Sequence, residues 1–120
     1  MHLPTSPRRL LLVEDDRMVL ETIMLMLEDD YEIDTAISVR TALDLLRAPA
    51  SSRIDVILLD CLLPDGNIGD VLAEADRYSI PVVLSSGDPR QAQAMHPPRR
   101  FLSKPFTQAA LLETLDTARR

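Results

Sequence analysis

Short apolar runs alternate along this chain with stretches whose apolar residues recur every three or four positions. Leu10-Leu-Leu-Val13 has strand length, and Arg53-Ile-Asp-Val-Ile-Leu-Leu-Asp60 carries a second run that ends in an acid and a Pro/Asp/Gly turn. Such continuous runs mark strands buried on both faces, and Asp60 stands at the carboxyl end of one. Ile80-Pro-Val-Val-Leu84 and Arg100-Phe-Leu-Ser103 supply two more strands, Pro81 being tolerable near a strand's start. Tyr31, Ile33 and Thr35 alternate instead with Glu32 and Asp34, the pattern of a strand with one wet face at a sheet edge. Between the strands lie helical patterns. Leu20, Ile23, Met24 and Leu27 follow a capping Asp16, and Val39, Ala42, Leu43 and Leu46 follow Ser38 and end before Pro49. Ile68, Val71, Leu72 and Ala75 form a third inward stripe, and Leu111, Leu112, Leu115 and Ala118 a last one after Thr107. Only a short helix, Arg90 to Met95, fits before His96-Pro97-Pro98. Five strand-helix alternations with short connections predict an α/β fold: a doubly wound five-stranded parallel sheet, helices on both faces, right-handed crossovers, and a shortened fourth helix.

The length of 120 residues suits one domain, 1–120 with its core at about 9–118, able to bury about two thirds of its unfolded surface unaided. A net charge of −6 speaks against non-specific binding to nucleic acid or anionic lipid. No apolar run is long enough to span a bilayer, and the opening Met1 to Arg9 lacks the apolar core of a signal peptide. One cysteine, Cys61, allows no internal disulfide, so a cytoplasmic protein is expected. Cys61 reads as a small packing residue, and His96 has no second metal ligand near it.

The strand ends change the picture. Glu14-Asp15 follows the first strand, Asp60 ends the third, Ser85-Ser86 follow the fourth and Lys104 follows the fifth. In an open parallel sheet these ends share one rim, where ligands bind. Singly each has a bland reading: Asp60 as a turn cap, Glu14-Asp15-Asp16 as a helix N-terminus, the serines as loop, Lys104 as a surface lysine. Their coincidence at four strand ends favours chemistry. Carboxylates crowded together call for protonation or a hard cation, and Mg²⁺ fits oxygen ligands shared with a phosphate. Asp60 beside such an ion is placed to attack a phosphoryl group, with Lys104 and a serine hydroxyl neutralising its oxygens.

With these motifs in order, the sequence resembles the receiver domain of two-component response regulators from about Leu10 to Leu115. The resemblance rests on Leu-Leu-Val-Glu14-Asp15-Asp16, Ile-Leu-Leu-Asp60-x-x-Leu-Pro64, Val-Leu-Ser85-Ser86-Gly87 and Phe101-Leu-Ser-Lys104-Pro105-Phe106. It implies a flavodoxin-like strand order 2-1-3-4-5, Asp60 as phosphoacceptor, and Mg²⁺ held by Asp15, Asp60 and the Leu62 backbone carbonyl with Glu14 in the outer sphere. It further implies Ser86 as switch hydroxyl, Phe101 as switch aromatic, Lys104 paired with the acceptor carboxylate or its phosphate, and a cis Lys104-Pro105 bond. The implied donor is a histidine kinase or histidine phosphotransfer domain, and the implied role is that of a phosphoacceptor rather than an enzyme. No effector domain follows Arg120, so the expectation is a stand-alone receiver, a receiver cut from a longer regulator, or the receiver module of a hybrid kinase, toward which the wording around Lys104 leans; in the last two cases a tethered kinase or effector domain is a further partner. Two departures stand out: Gly69 lies one residue late, implying a longer loop after Pro64, and the span from Ser86 to Lys104 is short by about a helical turn. Output through a small fourth-helix surface, without strong symmetric dimerisation, is therefore expected. An aspartate-nucleophile phosphohydrolase would need a second acid two residues after Asp60, where Leu62 stands. A phosphorylation-independent pseudo-receiver would have no use for the retained Glu14, Asp15, Asp60, Ser86 and Lys104.

Overall fold

In the computed structural model, which describes residues 8–48, 54–88, 90–93 and 99–119, strands and helices alternate throughout. The strands are β1 (Arg8–Val13), β2 (Tyr31–Ala36), β3 (Val56–Asp60), β4 (Val82–Ser86) and β5 (Arg100–Ser103). The helices are α1 (Arg17–Leu27), α2 (Val39–Arg47), α3 (Ile68–Arg77), α4 (Arg90–Gln93) and α5 (Gln108–Ala118). All pairings are parallel in the order β2-β1-β3-β4-β5, which puts β2 at an edge, as its alternation predicted, and β3 at the centre.

Side chains alternate across a strand, so β1 and β3 feed two cores at once. Leu11, Val13, Ile57 and Leu59 face α2 and α3, while Leu10, Leu12, Val56 and Leu58 face α1 and α5. Val56 to Leu59 are at most 1% exposed, and each such side chain contributes about 1.5–3 kcal/mol through burial. That is why β3 can hold a charged residue rigidly at its tip. Each long helix begins on a polar cap: Asp16 accepts from Met18 and Val19 N–H, Ser38 from Thr41, Asn67 from Gly69 and Thr107 from Ala110. No helix among the described residues is long and apolar enough to cross a membrane.

Three boundaries differ from the sequence expectation. β3 begins at Val56, after Asp55 turns its carboxylate onto the Arg9 N–H, and Arg53 lies outside the described residues. β4 begins at Val82 and runs through Ser86, because Ile80 N–H is taken by the Ala75 carbonyl and Pro81 has no N–H. Ser85 and Ser86 are thus strand residues, both at most 2% exposed. The short α4 is described from Arg90 to Gln93; Met95, His96 and the two following prolines lie outside the described residues, as do Met1 to Pro7 and Pro49 to Arg53.

Candidate functional site

Strand register alone brings the acids together. Val13 pairs with Leu59, so Glu14 emerges beside Asp60, and Asp60 pairs with Ser85. Ser86 pairs with Ser103, which delivers Lys104 to the same rim, its N–H donating to the Ser86 carbonyl at 2.8 Å. Lys104 and Pro105 are joined by a cis peptide bond. Ligand atoms of Glu14, Asp15 and Asp60 all lie within 4.8 Å of one another, Glu14 and Asp60 buried at 2% and 6% exposure and Asp15 exposed.

Lys104 is the cation in their midst. Its Nζ donates to Glu14 Oε1 at 2.7 Å and stands 3.7 Å from Asp60 Oδ2. Lys104 is thus paired with both carboxylates, the expected Asp60 and, more closely, Glu14. Burial raises the Glu14 carboxyl above its ordinary range; Lys104 pulls it down, but Asp60 pushes the same way as burial and the net shift is upward. For Lys104, burial pulls the ammonium down, yet the bond to Glu14 and the charges of Asp60 and Glu14 outweigh it, and its pKa rises. Three carboxylates against one ammonium leave the cluster short of two positive charges. A divalent hard cation matches that deficit and the all-oxygen donor set. Asp15, Asp60 and Glu14 are the carboxylates able to hold Mg²⁺, with the Leu62 carbonyl on the loop that follows Asp60. Asp15→Ala is expected to weaken Mg²⁺ binding at least tenfold in a calorimetric titration without lowering the metal-free melting temperature, because it removes one of three mutually repelling carboxylates. Unchanged Mg²⁺ affinity would remove Asp15 from the site.

The loop after Asp60 is tied at several points. Leu62 N–H donates to Asp60 Oδ1 at 3.2 Å, and Cys61 N–H donates to the Ser85 carbonyl at 2.9 Å. Cys61 is half-buried against the α2/α3 core, and burial, with the Asp60 charge, pushes its thiol up to about 11 against the pull of Lys104. It packs as a small residue, as its sequence context suggested. Asp65 reaches across to α2, accepting from Val39 N–H at 2.9 Å and Arg40 N–H at 3.2 Å, so this loop also caps a neighbouring helix. The late Gly69 sits inside the first turn of α3, where a Cβ would come within 3.0 Å of the capping Asn67 Oδ1. Ser86 Oγ accepts from Asp88 N–H at 3.0 Å and donates to Gln91 Oε1. Phe101, opposite Leu84 in β5, is partly buried against the α2/α3 core. Sequence reasoning missed Asp65 and Gln91 as partners: both contacts join separate elements, and no local pattern announces them.

A five-stranded parallel sheet in this order, with acids on its first and third strand ends, a buried hydroxyl on the fourth and a lysine on the fifth, defines a receiver-type domain. The chain belongs to the response regulator receiver domain family, whose model matches residues 10–116. It is similar to the signal receiver domain of an HD domain-containing protein from Pseudomonas fluorescens Pf-5, with 27% identity, TM-score 0.80, and coverage of 98% of this chain and 90% of that one. A response regulator receiver domain protein from Clostridium thermocellum gives 28% identity and TM-score 0.79, covering 92% and 93%. The receiver domain of the sensor histidine kinase PA1611 from Pseudomonas aeruginosa PAO1, whose structure has a magnesium ion coordinated in the active site cleft, shares the fold at 24% identity and TM-score 0.77, covering 94% and 98%. No curated protein sequence matches the chain. The protein is thus a receiver domain of two-component signalling.

Proposed function

We propose that Asp60 accepts a phosphoryl group from a histidine kinase or histidine phosphotransfer domain in an Mg²⁺-dependent reaction, and that the resulting aspartyl phosphate switches the domain. The observation that carries this is the convergence of Glu14, Asp15 and Asp60 within 4.8 Å of one another, with Lys104 against Glu14 and Asp60. An Asp60 carboxylate oxygen attacks phosphorus, an O–P bond forms, the N–P bond to the donor histidine breaks, and the leaving imidazole takes a proton. Bound Mg²⁺ would neutralise the phosphoryl oxygens during transfer. Lys104, already 3.7 Å from Asp60, supplies a positive charge to the same oxygens, and Leu62 N–H holds Asp60 Oδ1 in place. Leu62 offers no general acid where a phosphohydrolase requires one, so the domain stores the phosphoryl group rather than turning over esters.

Exposed apolar residues flank the acids. Met18 is 79% and Leu62 61% exposed, and Met18 rims a groove formed with Val19, Met26, Pro105 and Phe106. Apolar surface beside a reactive carboxylate suits a protein donor in the cytoplasm better than a small substrate. Ser86 and Phe101 relay the change toward α4 and β5, where a partner or tethered domain reads it. The test is incubation with acetyl phosphate and Mg²⁺ followed by intact-mass measurement and hydroxylamine treatment. A single hydroxylamine-labile phosphoryl adduct on Asp60 is expected; an adduct of equal yield in Asp60→Ala would refute the assignment.

A further inference from the structure

The hydroxyl of Ser86 has no donor capacity to spare. It belongs to the last residue of β4, is buried at 1% exposure, accepts from Asp88 N–H and gives its proton to Gln91 Oε1. A hydroxyl carries one proton. Ser86 therefore cannot donate to a phosphoryl oxygen on Asp60 while it donates to Gln91. Gln91 lies on α4, which is described over Arg90–Gln93. Among the described residues, α4 is tied at this corner: Gln91 N–H donates to the Asp88 carbonyl at 3.1 Å, Arg90 N–H and its guanidinium donate to the Asp88 carboxylate at 3.0 and 3.1 Å, and Gln91 reaches Ser86 at the end of β4.

We infer that Gln91 is a positioning residue that latches the switch hydroxyl in the unphosphorylated state, and that the phosphoryl group on Asp60 competes with the Gln91 amide oxygen for the Ser86 proton. The inference rests on the reading of Asp60 as phosphoacceptor and Ser86 as switch hydroxyl. It gives that switch a definite off position and a definite cost. When Ser86 turns to the phosphoryl group, Gln91 loses a bond that joins α4 to β4, so a change of one proton's acceptor at the site is passed to α4. The latch needs an acceptor on residue 91 and nothing else of the glutamine. Gln91→Met matches its length without the acceptor, and Gln91→Glu keeps an acceptor.

The experiment titrates beryllofluoride, a mimic of the phosphoryl group, into the Mg²⁺-saturated protein and follows the Gly87 and Lys104 amide resonances, in the wild type, Gln91→Met, Gln91→Glu, Ser86→Ala, the Ser86→Ala/Gln91→Met double variant and Asp60→Ala. Gln91→Met is expected to bind about three- to tenfold more tightly than the wild type, the range of one net hydrogen bond. Gln91→Glu should bind no more tightly than the wild type, and Gln91→Met should give no gain once Ser86 is alanine. A Gln91→Met affinity equal to or weaker than the wild type overturns the latch, and so does a gain that persists in the Ser86→Ala background. Binding that survives in Asp60→Ala would instead bring down the phosphoacceptor reading, and the latch with it.

Discussion

Asp60→Asn is expected to melt several degrees higher than the wild type in the absence of metal and to gain much less from Mg²⁺. Asparagine keeps the shape of aspartate and can still accept the Leu62 N–H, so packing is unchanged and only the charge is removed. At an effective dielectric of about 20, repulsion from a neighbouring carboxylate within 4.8 Å is worth about 3 kcal/mol or more, and Asp60 has two such neighbours. The opposing attraction to Lys104 at 3.7 Å is worth about 4 kcal/mol. Desolvation of a carboxylate only 6% exposed adds to the repulsive side. The balance favours the neutral residue, and about 1–2 kcal/mol, or roughly 3–8 °C, is a reasonable expectation after screening. The wild type should recover this when Mg²⁺ is present at about ten times its Kd, where binding to the folded state alone contributes about 1.4 kcal/mol. A melting temperature for Asp60→Asn at or below that of the wild type, or an equal gain from Mg²⁺, would contradict the charge argument.

Acid has a related effect. Because the Glu14 carboxyl titrates higher in the folded protein than in the unfolded chain, its contribution to stability is fully present below the unfolded pKa and is lost as pH rises through the folded one. Metal-free protein should therefore gain stability as pH falls from neutrality. Asp76 sets the lower limit: the Arg99 guanidinium, at 2.6 and 2.8 Å, holds its carboxyl below the ordinary range, so that pair's contribution is lost on acidification below about pH 4.

The fold was legible because its two periodicities are strong. Val56 to Leu59 have no polar break, and Asp16, Ser38 and Thr107 cap helices where the sequence placed them. The rim was legible for a topological reason. In a parallel sheet every strand ends on the same side, so Glu14, Asp60, Ser86 and Lys104 are assembled by chain direction alone, before any side-chain detail is known. What the sequence did not reveal is who holds whom. Lys104 is much nearer Asp60 than Glu14 along the chain, yet Glu14 is reached at 2.7 Å and Asp60 at 3.7 Å, a choice made by the register of β1 against β3 and by where the β5 carboxyl end points. The Asp65 cap on α2 spans 26 residues, and its own surroundings look like an ordinary Pro/Asp/Gly turn. Gln91 likewise reads as a polar position on a short helix until β4 is seen to extend through Ser86. Ser86 was identified as a hydroxyl on the rim, but its partner lies on the element whose pattern is weakest.

Lys104→Met is expected to impair phosphoryl transfer and to destabilise the metal-free protein in a pH-dependent way. Removing this ammonium leaves Glu14, 3% exposed in its side chain, beside Asp60 with no cation in reach among the described residues. Breaking a buried ion pair in this manner costs about 3–5 kcal/mol when the orphaned charge must stay charged. Glu14 has an escape: its carboxyl is already raised by burial and by Asp60, and loss of Lys104 removes the downward pull, so it takes up a proton instead. The penalty is then limited to the cost of that protonation, about 1–3 kcal/mol near neutral pH, or roughly 3–10 °C in melting temperature. Its sign with pH follows from linkage. A carboxyl raised further in the folded variant loses stability as pH climbs through its folded pKa, so the gap between variant and wild type should widen as pH rises from mildly acid to mildly alkaline and narrow again on acidification. Lys104→Arg, which keeps the charge, should show a smaller and flatter loss, and Mg²⁺ should restore part of the stability of Lys104→Met by replacing the missing cation. Thermal melts of the three proteins across this pH range, with and without Mg²⁺, decide the matter. A constant deficit at every pH would assign Lys104 a packing role only, since the loss of its methylene contacts does not titrate, and would detach it from the charge balance on which phosphoryl transfer to Asp60 depends.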